Sequence, residues 1–254
     1  MVVGLVPAAG QATRIAPLPC SKELYPLGFQ RIDGAAEPRP RPVCTYLLEA
    51  MRLAGAERVY VILRRGKWDI PAYLEDGHRV GLPIAYLLMR RPFGVPYTLD
   101  QAYAFLRDER VVFGFPDIVF QPADALRRLL DRQTATAADV VLGLFPRPPG
   151  SQIDAVVAGS GGRVQAIQVA AVEPAPALTW ILAAWTPAFT SFLHAAVADE
   201  RGPAAEIPLG AIFQQALGAG LHVEGVAFAD ARFLDIGTPA GLVQASRLPE
   251  WIGE

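Results

Sequence analysis

Lysine is scarce in this sequence: Lys22 and Lys67 are its two lysines, and arginine supplies the rest of the 23 basic side chains. The net charge is −2, so the chain has no basic field for nucleic acid, and an anionic ligand must be held by local cations. Preference for arginine usually reflects genome composition. Lysine nevertheless serves better where a compact point charge is needed, and we therefore expect a functional role for Lys22.

Cysteine is scarce too, and long apolar runs are missing. Cys20 and Cys44 have neither metal-site spacing nor the number needed for a disulfide framework, and we expect both to be reduced in a cytoplasmic protein. No early segment resembles a signal peptide, and no apolar run reaches membrane-spanning length. Hydrophobic residues make up 52% of the chain, which predicts a sizeable core and excludes disorder.

Short apolar runs alternate with helical patterns. Strands are predicted at residues 2–7, 58–63, 83–88, 111–115 and 138–144, with helices at about 43–54, 68–75, 97–107 and 122–133. The second half predicts a hairpin of 154–158 and 163–169, a strand at 178–185, helices at 187–198 and 207–218, a strand at 222–228, and a strand and helix within 232–246. Residues 37–42 are interpreted as a loop. This alternation predicts a three-layer α/β/α fold with ligands at the carboxyl ends of the strands.

A small-residue loop follows the first predicted strand. It reads Pro7-Ala-Ala-Gly-Gln-Ala-Thr-Arg14, and Ser21-Lys-Glu-Leu-Tyr-Pro26 comes soon after it. Small residues allow backbone N–H groups to approach phosphate, and the cations Arg14 and Lys22 offset its charge. An ordinary turn between strand and helix is an equally good interpretation of the loop taken alone.

Two aspartates end predicted strands. Asp117 closes the run Val111-Val-Phe-Gly-Phe-Pro-Asp117, and Asp235 lies within Phe233-Leu-Asp-Ile-Gly-Thr-Pro239. Either aspartate alone could be a helix or turn cap. Together with a phosphate loop at the same sheet edge, the two carboxylates predict a magnesium site.

These segments resemble, in order and spacing, the motifs of the sugar-1-phosphate nucleotidylyltransferases. That family opens with G-x-G-T-R, then P-K or S-K, three residues and P, and it continues with a strand-end G-D and a late L-D-x-G-T. The resemblance extends over nearly the whole chain, and the glucose-1-phosphate thymidylyltransferase branch fits best. It implies a Rossmann-like mixed sheet of the glycosyltransferase-A type in a single domain, residues 1–254, and homo-oligomers are frequent in the family.

The resemblance also implies a reaction and its residues. A sugar 1-phosphate oxygen attacks the α-phosphorus of a nucleoside triphosphate, and pyrophosphate leaves without a protein nucleophile. Arg14 is implied at the pyrophosphate, Lys22 at the α-phosphate, and Mg²⁺ on Asp117 and Asp235. Residues 1–145 are expected to form the nucleotide-binding half and 146–254 the sugar-binding and C-terminal half. The implied nucleotide contacts are Ala8, Ala9, Gly10, Gln11, Ala12, Thr13, Met89 and Gly94.

Departures from the family pattern concern substrate recognition. Ala12 replaces the second loop glycine, and its methyl group is expected to crowd the triphosphate or to require an altered loop. Met89 aligns with the glutamine that reads the base in the thymidylyltransferase branch, and methionine cannot make that hydrogen-bond pair.

The family's E-K-P segment, which recognises the sugar phosphate, aligns with residues 167–170, where its glutamate and lysine are missing. Gln168 and Trp180 are then the candidate acceptor-binding residues. The core is the favoured place for Trp180, and stacking on a sugar or base is the alternative. Arg163 or Arg201 could replace the missing lysine. Lys67 is interpreted as part of a solvated turn.

Two other functions on the same fold stay open. The first is the same chemistry on a non-standard phosphorylated acceptor, which the missing sugar-pocket residues favour. The second is a non-catalytic nucleotide- or sugar-nucleotide-binding protein, which the intact Arg14, Lys22, Asp117 and Asp235 oppose. A nicotinamide-dependent dehydrogenase is disfavoured because no G-x-G-x-x-G follows the first strand.

Overall fold

A computed structural model describes residues 1–31, 36–90, 93–198 and 206–247 of the chain. Its strands are β1 (Val2–Pro7), β2 (Pro26–Gln30), β3 (Arg39–Pro42), β4 (Arg58–Arg64), β5 (Ile84–Met89), β6 (Arg110–Gly114), β7 (Ile118–Gln121), β8 (Val140–Pro146), β9 (Ala155–Ala158), β10 (Val164–Gln168), β11 (Leu178–Trp185), β12 (Val223–Ala227) and β13 (Arg232–Asp235). The α-helices are α1 (Cys44–Leu53), α2 (Asp69–Leu74), α3 (Val95–Asp100), α4 (Tyr103–Leu106), α5 (Ala125–Thr136), α6 (Pro187–Val197), α7 (Leu209–Gly218) and α8 (Pro239–Ser246).

One nine-stranded sheet organises the chain. Its strands follow the order β5, β4, β1, β6, β11, β8 and β12, and the β9–β10 hairpin pairs with the start of β11, where Leu178 lies opposite Val156. Along the order from β5 to β12, neighbouring strands are parallel except at β11, which runs antiparallel to β6 and β8; β9 and β10 are antiparallel to each other. The carboxyl ends of β1, β4, β5 and β6 therefore meet at one edge.

Side chains of the central strands alternate between two apolar layers. From β1, Val6 packs with the α1 and α5 layer, whereas Val3 and Leu5 pack with the layer of α3, α4, α6 and α7. Because both faces are covered, the central strands are continuous apolar runs without a polar face. The three-layer α/β/α prediction and the mixed-sheet fold class are confirmed.

Most predicted elements match the structure to within a few residues. Strand β2 was not predicted, and three further differences concern β3, the helix at 97–107 and β7. The predicted loop at residues 37–42 contains β3, which pairs with β2 in a separate two-stranded ribbon. The predicted helix at 97–107 is two short helices, α3 and α4, and it begins earlier, at Val95. Strand β7 was not predicted, and it pairs with β13. Among the described residues, no helix is both long and apolar enough to cross a membrane.

Candidate active site

The loop after β1 leaves the sheet at the carboxyl edge. Ala8 is buried, and its N–H donates to the carbonyl oxygen of Ile62 in β4 over 2.9 Å. Gly10 is exposed, and a Cβ atom added there would lie 3.8 Å from both Cε and Nζ of Lys22. The lysine amine therefore lies directly beside the small-residue loop.

Ala12 adopts a left-handed backbone conformation with φ +56°. Such a conformation favours glycine, because a Cβ atom in the left-handed region crowds the neighbouring carbonyl oxygen. The backbone at this position therefore keeps a conformation that favours glycine, and the methyl group of Ala12 makes that conformation a strained one.

Replacing Ala12 with glycine is expected to raise the free energy of unfolding by about 0.5–1 kcal/mol, since relief of strain outweighs the added entropy of the unfolded chain. Ala137→Gly is a matched control, because Ala137 has φ +52° in the exposed turn after α5, away from the loop. Urea unfolding should show a similar gain for both variants. Equal or lower stability of Ala12→Gly would contradict a strained loop.

The two predicted metal ligands converge. Strands β7 and β13 pair with Asp235 opposite Ile118, and the N–H of Ile236 donates to the carbonyl oxygen of Asp117 over 3.1 Å. A Cβ atom added to Gly237 would lie 2.6 Å from Oδ2 of Asp117 and 2.9 Å from Oδ1 of Asp235. Only a residue without a side chain fits between these carboxylates.

Two cations approach the same point. Nζ of Lys22 lies 2.6 Å from Oδ2 of Asp117 in an ion pair whose side chains are 16% and 9% exposed. An Nη2 atom of Arg14 lies 3.4 Å from the position that a Cβ of Gly237 would take. The predicted catalytic pair and the predicted metal pair therefore form one cluster of alternating charge.

The charges of this cluster shift its pKa values. Burial, and then the neighbouring charge of Asp117, raise the pKa of Asp235, although the Gly237 N–H, Arg14 and Lys22 oppose the shift. Burial alone would lower the pKa of Lys22, but the carboxylates of Asp117, Glu23 and Asp235 outweigh it and raise that pKa. The lysine is therefore held as a cation, and two carboxylates share a site that favours positive charge.

A cavity of about 590 Å³ opens over this cluster. Its walls come from the loop after β1, the start of α3 and the strand ends at β6, β7 and β13. Among the described residues, the lining consists of Pro7, Ala9, Gly10, Gln11, Thr13, Arg14, Lys22, Gly94, Val95, Thr98, Phe115, Asp117, Ile118, Glu206 and Asp235. Most of the predicted nucleotide contacts and all four predicted charged residues thus border one space.

A second cavity of about 380 Å³ adjoins the first and shares Val95, Phe115 and Glu206 with it. Trp180 of β11 lies in its wall, and its Nε1 donates to Oδ2 of Asp154 over 2.9 Å. Asp154 packs directly over Gly210, where an added Cβ atom would come within 2.0 Å of the carboxylate. The second cavity thus combines an aromatic wall with two carboxylates.

Four predicted contacts lie outside the linings of both cavities, and one of them is Ala12. Ala8 is buried beneath the loop, and Met89 is a core residue whose Sδ lies 3.4 Å from Oγ1 of Thr98. Gln168 is an exposed residue of β10. Arg201, one of the two proposed replacements for the missing lysine, lies outside the described residues, and Arg163 is exposed in the β9–β10 hairpin, where its backbone bridges to Glu224.

The interpretation of Lys67 as part of a solvated turn was wrong. Its Nζ lies 2.6 Å from each carboxylate oxygen of Glu23, and the Lys67 and Glu23 side chains are 4% and 1% exposed. Burial lowers the pKa of Lys67 and raises that of Glu23.

Asp154, Glu206 and Gly237 are further site residues that the sequence motifs did not identify as such, because their significance depends on partners brought close by the fold.

The loop, the paired carboxylates and the open cavity at the strand ends give this α/β protein a site whose charges suit a phosphorylated ligand. The chain belongs to the nucleotidyl transferase family, which it matches over residues 3–250. The predicted resemblance to the sugar-1-phosphate nucleotidylyltransferases is confirmed at the level of this family.

The curated relatives are distant and longer. The chain is 24% identical to a glucose-1-phosphate thymidylyltransferase of Streptomyces antibioticus over 96% of its own length but only 65% of the relative's. It is 28% identical to the Streptomyces griseus enzyme of that name over 57% of its length and 38% of the relative's. The chain therefore spans less than two thirds of each of these proteins.

Solved structures share the fold. A Bacillus anthracis protein described as a candidate glucose-1-phosphate thymidylyltransferase superimposes with a TM-score of 0.82 at 17% identity, covering 98% of this chain and 95% of that one. The inositol-1-phosphate CTP transferase of T. maritima gives a TM-score of 0.72 at 19% identity, covering 98% and 96%. At these identities the similarity concerns the architecture.

Proposed function

We propose that the protein transfers a nucleotidyl group from a nucleoside triphosphate to a sugar 1-phosphate, giving a nucleotide-sugar and pyrophosphate. One observation carries this proposal: Arg14, Lys22, Asp117 and Asp235 converge below a cavity bordered by the small-residue loop. The reaction forms a bond between an acceptor phosphate oxygen and the α-phosphorus, and it breaks the bond from that phosphorus to the pyrophosphate oxygen. Because nucleoside triphosphates are cytoplasmic metabolites, we propose a cytoplasmic reaction.

The paired aspartates fit a magnesium ion. Two carboxylates that converge within reach of one point form a hard, anionic donor set, and Mg²⁺ is commonly held by one or two carboxylates plus substrate phosphates. Asp117 and Asp235 would hold the ion, which when bound would neutralise phosphate charge and orient the oxygens of the triphosphate.

The chain's own residues account for the remaining requirements. The backbone of the Gly10 loop can approach phosphate oxygens, and the planar fork of Arg14 is suited to a departing pyrophosphate. Lys22 supplies a fixed point charge for the α-phosphate, where negative charge develops during the displacement. No residue has to become a nucleophile, because positioning and charge neutralisation suffice.

The organic part of the acceptor is assigned in this proposal to the second cavity. That cavity adjoins the charged cluster, and among its described lining residues there is no lysine or arginine to hold a phosphate. The acceptor phosphate would then turn toward Lys22 and Arg14, while its hydroxyl groups face Asp154 and Glu206. The lack of a second phosphate-binding cation here also keeps open a non-standard phosphorylated acceptor.

The role of the second cavity can be tested at Asp154. Asp154→Asn keeps an oxygen that can accept from Trp180 but removes the charge, and it is expected to raise the KM of the acceptor about tenfold. The KM of the nucleoside triphosphate should stay within about twofold. A larger rise in the KM of the nucleotide than in that of the acceptor would contradict the assignment of the acceptor to this cavity.

The reaction itself is tested by pyrophosphate release. The protein is incubated with Mg²⁺, each nucleoside triphosphate and a panel of sugar 1-phosphates, with phosphorylated alcohols as a further arm. Release that needs both substrates supports the transferase and identifies them. Nucleotide binding without release in every combination would instead support a binding protein on this fold.

A further inference from the structure

The segment that carries Lys22 is tied at two places to residues 67–69, the end of the loop after β4 and the first residue of α2. Immediately before Lys22, the backbone N–H and the hydroxyl of Ser21 donate to the two oxygens of Asp69, each over 2.7 Å. Immediately after it, Glu23 accepts from Lys67 through both carboxylate oxygens at 2.6 Å. The residues on both sides of Lys22 are thus bound to one neighbouring segment. We call Ser21, Glu23, Lys67 and Asp69 the clamp.

Lys22 itself points away from the clamp. It begins a single turn of 3₁₀ helix, Lys22–Leu24, and its amine reaches the Gly10 loop and Asp117. Because both flanking side chains are fixed, the backbone of Lys22 cannot rotate without breaking one of the two contacts. The ion pair with Asp117 fixes the far end of the side chain, so the ammonium is placed before any substrate arrives.

The Glu23–Lys67 contact is poorly explained by stability alone. A buried ion pair costs desolvation, and apolar residues of similar volume are often equally stable in its place. Yet the chain, which has two lysines, has one of them buried here. The contact does join the turn that carries Lys22 to the loop after β4, and a role in fixing these two segments relative to each other accounts for the buried pair.

We propose that Glu23 and Lys67 are positioning residues, which hold the Lys22 ammonium in the geometry that the phosphate displacement requires. They do not touch the substrate. Their effect is to pre-order Lys22, so that no ordering of this side chain is needed during the reaction. The catalytic part of this inference rests on the proposed function, whereas the ordering of Lys22 does not.

The test is a double variant, Glu23→Leu with Lys67→Met, which removes the ion pair while keeping its volume and leaving no unpaired buried charge. The matched control, Arg58→Met with Glu109→Leu, removes an ion pair of 3.0 Å at the amino ends of β4 and β6, the opposite sheet edge. Thermal unfolding is used to check that both double variants fold.

Ordering is measured without activity. Labelling lysine with ¹³C at Cε gives two lysine signals, assigned with Lys22→Arg and Lys67→Arg. In the unaltered protein and the control, the two Hε protons of Lys22 should have different shifts, as expected for a fixed side chain. In the clamp double variant this shift difference should shrink, because the Asp117 ion pair is then the contact that still restrains the side chain. An unchanged shift difference in that variant would overturn the proposal.

Turnover provides the second measurement. The clamp double variant should lose roughly 10- to 100-fold in kcat, with the KM of the nucleoside triphosphate within about threefold, because a displaced catalytic group mainly affects the chemical step. A kcat within threefold of the control would overturn the catalytic role. If the unaltered protein has an ordered Lys22 but releases no pyrophosphate, the proposed function fails while the ordering result stands.

Discussion

Lys22→Met is expected to lower the rate of pyrophosphate release about a thousandfold. The variant removes the point charge proposed for the α-phosphate, and loss of one such preorganised contact typically costs about 10²–10³ in rate. Lys22→Arg is the matched control. It keeps the charge but spreads it over a planar fork, so we expect a smaller loss, about tenfold. The measurement is steady-state pyrophosphate release by folded protein.

The same substitution should weaken the fold. Without the lysine, the carboxylate of Asp117 loses its ion pair and faces Asp235 with Arg14 still nearby, which is expected to cost about 1–3 kcal/mol. Adding Asp117→Asn to Lys22→Met should recover much of that stability without restoring turnover. If Lys22→Met alone keeps turnover within tenfold of the unaltered protein, Lys22 has no role in the mechanism.

Asp235→Asn is expected to reduce turnover about a thousandfold or more while making the protein more stable at neutral pH. The amide keeps an oxygen that can accept from the Gly237 N–H, which donates to Asp235 over 2.7 Å, but it is a weaker ligand for Mg²⁺. Asp117→Asn should lose turnover similarly, but it also breaks the ion pair with Lys22 and should not gain stability.

The stability gain follows from the raised pKa of Asp235. Burial and the charge of Asp117 make the folded protein bind this proton more tightly than the unfolded chain does. The charged form therefore costs stability, which falls as pH rises through the ordinary carboxyl range and up to the raised pKa. Urea unfolding across pH should show that the advantage of Asp235→Asn is present at neutral pH and shrinks in acid. An advantage independent of pH would exclude this cause.

The parts of the fold that the sequence predicted well are those whose signals lie within the element itself. The buried strands β1, β4 and β6 are continuous apolar runs, and the β9–β10 hairpin is marked by a glycine cluster at residues 159–162. Each of these signals lies within a few residues of the element that it predicts. The loop after β1 and the two strand-end aspartates have the same local character.

The elements that were missed depend on contacts between distant segments. Strand β3 contains Pro40 and Pro42, which predict a loop, but a two-stranded ribbon tolerates proline at an edge. The buried state of Lys67 depends on Glu23, 44 residues earlier in the chain. Nothing beside Lys67 distinguishes it from a surface lysine, and likewise Asp154 acquires its place only through Trp180 and Gly210.

The β7–β13 ribbon also bears on how the protein reaches its working state. Asp117 lies in the middle of the chain, whereas Asp235 is carried by a strand close to the last helix described. Such a pairing has high contact order, so its loop-closure entropy must be overcome late in folding. A nascent chain in which the Gly10 loop, Lys22 and Asp117 have already been synthesised still lacks Asp235, the second carboxylate of the pair. Under the proposed function, the site for a divalent ion would therefore be complete only once β13 pairs with β7.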